Sequence, residues 1–309
     1  MMGIAFVFPG QGAQKVGMAR DFYDNSDVSR KIFELADENL DFDIKKVCFE
    51  ENKEIDITEY TQAALLTACL SMYKELEKYN LKPDVCAGLS LGEYAAMAVC
   101  GVMSFEDAVR AVRKRGKLMQ EAVPYGIGSM AAVIGLENEI VEKVCNDIEG
   151  VEVANYNCPG QVVISGIDKS VKKASEQLTE EGARRVLPLN VSGPFHSSML
   201  KDAGEKLGEF LDTIEINNPK IPYVTNVTAE YINENTQIKD LLKKQVCSSV
   251  KWQQSVENMI KNGIDTFIEI GPGRTITGFV KKIDSNVKLY NIQKFEDVEK
   301  VVRALEGEN

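Results

Sequence analysis

Short, wholly apolar runs alternate along this chain with longer stretches in which apolar residues recur every three or four positions. The first run, Ile4-Ala5-Phe6-Val7-Phe8, reads as a buried strand that ends in the loop Pro9-Gly10-Gln11-Gly12. Helical period starts at 18–23 and continues over 28–39 and 62–79. The last of these carries Leu66, Cys69, Leu70, Tyr73 and Leu76 on one face. A second apolar run at 84–87 leads through Gly88-Leu89-Ser90-Leu91-Gly92 into an apolar helix at 93–100.

The helix predicted over 104–123 has Ser104 as its N-cap and Asp107 three residues on, an acidic variant of the capping box. Phe105, Ala108, Val109, Val112, Gly116, Met119 and Val123 form its apolar stripe. At about 100° per residue, Arg110, Arg113, Lys114 and Lys117 point away from that stripe. Arg115 does not: it falls within the stripe's arc, between Ala122 and Ala108. A guanidinium placed there needs a carboxylate or other acceptors, because an unpaired buried charge is costly. A structural ion pair, or a stem snorkelling to water from the stripe's margin, would also account for it.

Residues 126–189 follow a pattern of their own. A strand at 129–134 and a helix at 137–148 come first. Strands at 151–156 and 161–165 flank the turn Asn157-Cys158-Pro159-Gly160, and a helix at 169–181 and a strand at 185–189 complete the unit. That order, β-α-β-β-α-β, is the ferredoxin-like split motif. Alternation then resumes with a helix at 201–214, a strand at 223–226, helices at 238–247 and 252–262, and strands at 266–270 and 288–292. Residues 306–309 read as a frayed tail. Strands alternating with helices imply a mainly parallel sheet covered on both faces.

The 309 residues carry a net charge of −11, which argues against a general nucleic-acid surface. Lys172-Lys173, Arg184-Arg185 and Lys281-Lys282 are the local basic candidates for an anionic partner. Seven scattered cysteines without a C-x-x-C argue against a disulfide framework and for a reducing cytoplasm. No apolar stretch approaches a membrane span, and the run at 4–8 is too short for a signal peptide. The single histidine, His196, excludes multi-histidine metal sites.

Strand, sharp turn and helix around Gly88-Leu89-Ser90-Leu91-Gly92 make this G-x-S-x-G a nucleophile elbow rather than only a glycine-rich turn. The expected fold is therefore α/β: a large α/β-hydrolase-like domain with a mainly parallel sheet (1–124 and 191–309), interrupted by a small ferredoxin-like (βαββαβ) domain (125–190). Ser90 needs a base, and His196 lies where the chain returns from the small unit to the large one, beside the expected cleft. No obvious triad acid lies between Ser90 and His196, so a serine–histidine dyad is expected, its imidazole oriented by an amide or a backbone carbonyl. The backbone N–H groups of Leu91 and Gln11 are the candidate oxyanion donors. Gly271-Pro272-Gly273 reads as a structural strand-to-helix turn.

With these residues assembled, the chain closely resembles the malonyl-CoA:acyl carrier protein transacylases over essentially its whole length. The resemblance is carried by Phe8-Pro9-Gly10-Gln11-Gly12-Ala13-Gln14, Gly88-Leu89-Ser90-Leu91-Gly92-Glu93, Arg115-Gly116-Lys117-Leu118-Met119-Gln120, the segment from Asn157 to Gly166, the His196 segment and Glu269-Ile270-Gly271-Pro272-Gly273. It implies that Ser90 is acylated, that His196 is the base and that Arg115 clamps the malonyl carboxylate. It also implies Gln11 and Leu91 as the oxyanion hole, Gln245 as the carbonyl that orients the histidine, and Asn157 as a residue lining the cleft. The implied partners are malonyl-CoA and acyl carrier protein; no cofactor, metal or membrane is expected, and a monomeric chain is the default expectation.

Leu89 departs from the family's histidine before the nucleophile, and Phe195 before His196 resembles the pattern of malonyl-selective relatives. The rival readings are a polyketide acyltransferase that shares every motif, a serine esterase or thioesterase, and a non-catalytic carrier-binding module.

Overall fold

The computed structural model describes residues 3–124 and 126–307. Its strands are β1 (Gly3–Phe8), β2 (Val85–Gly88), β3 (Gly128–Ile134), β4 (Val151–Cys158), β5 (Gln161–Ile167), β6 (Arg185–Pro188), β7 (Tyr223–Val224), β8 (Tyr231–Ile232), β9 (Ile264–Ile270) and β10 (Lys288–Ile292). They form two sheets, a mixed α/β arrangement. The larger runs β10-β9-β1-β2-β7-β8 and is parallel except for β8. The smaller runs β4-β5-β3-β6 and is wholly antiparallel, the order a split β-α-β-β-α-β unit gives.

The alternation along β1 shows why both faces of the large sheet are covered. Ile4, Phe6 and Phe8 enter one core, while Ala5 and Val7 enter a second core with Trp252 and Phe267. A third core, with Ala131, Val133 and Ile164, belongs to the small sheet and its helices. The two units are also joined through backbone. Tyr156 N–H donates to Val250 O (2.9 Å) and Val250 N–H to Ala154 O (2.8 Å), so β4 docks on the segment before helix Trp252–Lys261.

Several expected elements shift, each for a local reason. The helix expected at 62–79 begins at Thr58, and packing on several sides buries polar Thr61, Gln62, Thr67 and Glu75 along with the apolar face. Asn157 belongs to β4 rather than to a turn, because Cys158 still pairs with Gln161 and only Pro159-Gly160 remain to turn. The strand expected at 223–226 ends at Val224, and Asn226 leaves it to brace the nucleophile turn. Helices Ile44–Phe49 and Phe295–Glu306 and the short β8 were not anticipated. Glu306 ends that last helix and Gly307 caps it, donating to Arg303 O at 3.0 Å, so these two are not frayed; Glu308 and Asn309 of the expected tail lie outside the described residues.

Helix Phe105–Glu121 starts as expected, with Ser104 Oγ accepting from Asp107 N–H at 3.0 Å. Arg113 corrects the stripe reading. It is 9% exposed, pairs with Asp41 (2.7 Å) and Glu59 (3.0 Å), and lies over the rings of Phe42 and Tyr60. Neighbouring segments supply the carboxylates that allow it inside.

Candidate active site

The elbow is built by close approach. A Cβ on Gly88 would stand 1.9 Å from the Gly92 carbonyl carbon, and one on Gly92 would stand 2.2 Å from the Phe8 carbonyl oxygen. Only glycine fits at either point, so β2, the turn and helix Gly92–Val99 pack directly on the end of β1. Ser90 at the apex has φ of 52°, in the left-handed region. Asn226 holds it there: its Oδ1 accepts from Ser90 N–H (2.6 Å) and its Nδ2 donates to Gly88 O (2.7 Å).

Ser90 Oγ lies 2.7 Å from His196 Nε2, and His196 Nδ1 lies 2.8 Å from Gln245 O. A carbonyl only accepts, so Nδ1 carries the proton and Nε2 is left to take the one from Ser90. Burial, and then the nearby Arg115 charge, lower the His196 pKa from 6.5 to about 4. The imidazole is therefore neutral at ordinary pH, with Nε2 free to accept a proton. Its own φ of 58° is also left-handed.

Arg115 is 1% exposed and neither reaches water nor makes an ion pair among the described residues. Its Nη1 donates to Gln62 Oε1 (2.8 Å), and its Nη2 donates to Ser90 Oγ (3.0 Å) and Gln245 Oε1 (3.1 Å). Its Nε–H has no acceptor among the described residues. Every acceptor it has is neutral, and burial lowers its pKa. Gln62 was missed in the sequence, although it stands four residues before Leu66 on the apolar face, where a lone polar residue is itself a signal. Asn226 carried no such signal.

Ser90, His196 and Arg115 open on one cavity of about 220 Å³ between the two units, also lined by Gln11, Leu91, Asn157 and Phe195. Neither the Gln11 nor the Leu91 backbone N–H donates to a protein acceptor among the described residues. Asn157, 6% exposed, has its Oδ1 without a partner. Leu89 lines the cavity and packs on the Trp252 core. Gln245 does not line the cavity; it acts from behind it. Lys172, Arg184 and Arg185 do not line it, whereas Lys282 reaches the lining residue Gln161 (3.3 Å). Among the described residues, no group of His, Cys, Asp and Glu could hold a metal ion, and no helix is long and apolar enough to cross a membrane.

A serine that can pass its proton to a neutral imidazole makes and breaks acyl esters, which is the chemistry of an acyltransferase. The comparisons agree: the acyl transferase domain matches residues 5–294, and the chain belongs to that family. It is similar to the malonyl CoA-acyl carrier protein transacylase of Bacillus subtilis (strain 168), 43% identical over 314 residues, covering 100% of this chain and 99% of that protein. The crystal structure of the enzyme of that name from Clostridium perfringens ATCC 13124 superposes with a TM-score of 0.95 at 43% identity, over 99% of this chain and 98% of that one. A type II PKS acyl-carrier protein in complex with its malonyl-transacylase also matches, with a TM-score of 0.95 at 36% identity, over 98% and 99% of the two chains.

Proposed function

We propose that this acyltransferase moves the malonyl group from malonyl-CoA to the phosphopantetheine thiol of acyl carrier protein in two half-reactions. Ser90 Oγ attacks the thioester carbonyl while His196 Nε2 takes its proton. The tetrahedral intermediate collapses, and CoA leaves with that proton as the free thiol. The carrier thiol then gives its proton to His196 and attacks the malonyl-serine ester, and Ser90 recovers its hydrogen as the carrier thioester departs. The backbone N–H groups of Gln11 and Leu91 stabilise the oxyanion in both halves. Arg115 holds the malonyl carboxylate, Gln245 orients His196 through its carbonyl, and Asn157 and Phe195 shape the space around the acyl group.

One observation carries this reading: Arg115 is buried within hydrogen-bond distance of the nucleophile and has only neutral partners. A buried guanidinium without a direct ion pair is expensive, and an acyl group ending in a carboxylate supplies that partner in bidentate geometry. An uncharged ester does not. The large unit (1–124 and 191–309) is read as hydrolase-like on its elbow, and 125–190 as a separate small domain that closes the cleft. The chain is read as a cytoplasmic monomer.

Intact mass spectrometry after incubation with malonyl-CoA tests the proposal. The expected result is one malonyl adduct on Ser90, absent in Ser90→Ala and discharged by holo acyl carrier protein. A folded chain that takes up no adduct would sink it. Service to a polyketide carrier is a second reading, prompted by the carrier complex among the structural neighbours. Comparing discharge rates with the two kinds of carrier separates the readings.

A further inference from the structure

Glu93 does not line the cavity, yet it is fully buried, 0% exposed, in the first turn of the elbow helix. Its Oε2 accepts from Gln245 Nε2 (2.7 Å) and from Asn226 N–H (3.2 Å). Its Oε1 has no hydrogen-bond partner among the described residues. A carboxylate in such a place is costly, and packing alone would favour an apolar side chain.

Its polarity gives it a use. The side-chain amide of Gln245 can be placed either way round, but the Ser90 carbonyl only accepts and the Arg115 guanidinium only donates, and Glu93 Oε2 joins Ser90 O on the accepting side. The Nε2 end of Gln245 therefore turns to Glu93 and to Ser90 O (3.0 Å), which leaves Oε1 for Arg115 (3.1 Å). The main-chain carbonyl of the same glutamine receives the His196 proton. Asn226, the other residue bound to Glu93, spans Gly88 O and Ser90 N–H. Two side chains thus connect one carboxyl group to the arginine, the histidine and the serine turn.

We propose that Glu93 is a positioning residue of the acyl-transfer site: by fixing Gln245 and Asn226 it aims Arg115, His196 and the Ser90 turn together. The proposal rests on the reading of Arg115 as the holder of an acyl carboxylate. The charged and titratable groups facing Glu93 are Arg115 from helix Phe105–Glu121, Tyr94 on its own helix and Tyr223 on β7, with His196 reached through Gln245. Burial keeps both phenols neutral. Burial also pushes the Glu93 carboxyl up to about 7, against the hydrogen bonds it accepts and the Arg115 charge. Above that pH its charge competes with a substrate carboxylate for the field of Arg115. The preference for malonyl- over acetyl-CoA therefore falls as pH rises through this range.

The test measures kcat and KM on malonyl- and acetyl-CoA for the parent, Glu93→Ala and Glu93→Gln between about pH 6 and about pH 8, with circular dichroism to verify folding. Glu93→Ala is expected to lower kcat by about 10²-fold, the scale of a catalytic group displaced by an ångström, and to reduce the malonyl-to-acetyl ratio. Glu93→Gln, which keeps an acceptor but no charge, is expected to recover part of kcat and to make the ratio independent of pH. A folded Glu93→Ala with the parent's kcat and ratio would overturn the proposal, as would Glu93→Gln retaining the parent's pH dependence. If Glu93→Ala does not fold, the pH profile of Glu93→Gln decides alone. A parent that forms no malonyl-serine refutes the functional reading itself, whereas an active parent matched by its variants refutes only the role of Glu93.

Discussion

Two arginines lie two residues apart on one helix, in opposite electrostatic settings. Arg113 faces the outer cluster. It has two carboxylates, shares Asp41 with Lys117, and lies 4.9 Å from the ring centres of both Phe42 and Tyr60. Arg115 faces the inner site, where two amide oxygens and a hydroxyl hold its Nη atoms, its Nε–H has no acceptor among the described residues, and no carboxylate pairs with it directly. A paired guanidinium is a fastener, and a solvated-by-dipoles one is a receptor. Hydrogen bonding to neutral groups fixes a cation in place without using up its attraction for an anion.

The largest expected break in this comparison comes from Arg115→Ala. Loss of a buried charged partner costs about 3 kcal/mol, so kcat/KM for malonyl-CoA should fall by about 10²-fold while acetyl-CoA is turned over as well or better. Equal losses on both substrates would make Arg115 a fastener too. The next effect is in pH. His196 has its folded pKa lowered from 6.5 to about 4, so between these values the unfolded chain binds the proton and the folded one does not. Stability should therefore fall as pH drops through that window, by up to about 3 kcal/mol from this group, and the contribution should be absent in His196→Ala. Urea unfolding at several pH values measures it. The outer cluster should stay nearly silent there: Asp41, held well below its ordinary 3.8 by hydrogen bonds from Arg113 and Lys117, is ionised in both states above about pH 4, and its contribution is lost only as pH falls below that. Smallest is Arg113→Met. Its carboxylate partners are partly exposed, so the expected cost is about 1–2 kcal/mol in unfolding free energy, with the malonyl-to-acetyl ratio unchanged. A changed ratio would mean that the outer cluster aims Arg115.

The same pair shows what the sequence can and cannot reveal. Period alone placed Arg115 inside, because its neighbours on the wheel are apolar. Period alone also put Arg113 outside, and failed, because its partners Asp41 and Glu59 come from segments whose approach no local pattern encodes. β1, a strict apolar run, and β10 were legible almost to the residue. The two-residue β7 and β8 were not, since pairing across the sheet edge, rather than composition, defines them. Ser90 and His196 stood out through a turn motif and through being a sole histidine. Asn226 and the use of Glu93 became visible only when distant segments met, as residues that act through other residues leave no spacing of their own, whereas Gln62 carries its own signal as a polar residue on an apolar helix face.

Ser90 and His196 share one further property: both have positive φ, a conformation that costs a side-chain-bearing residue about 1 kcal/mol or more. The two groups that exchange the proton are thus held where the backbone least wants a side chain. Glycine would relax either position and end the chemistry. A lineage freed from the need for turnover would find an easy downhill path to a sturdier, inert descendant. In this fold, activity is a debt that selection must keep renewing, and its loss should be among the simplest routes to a more durable chain.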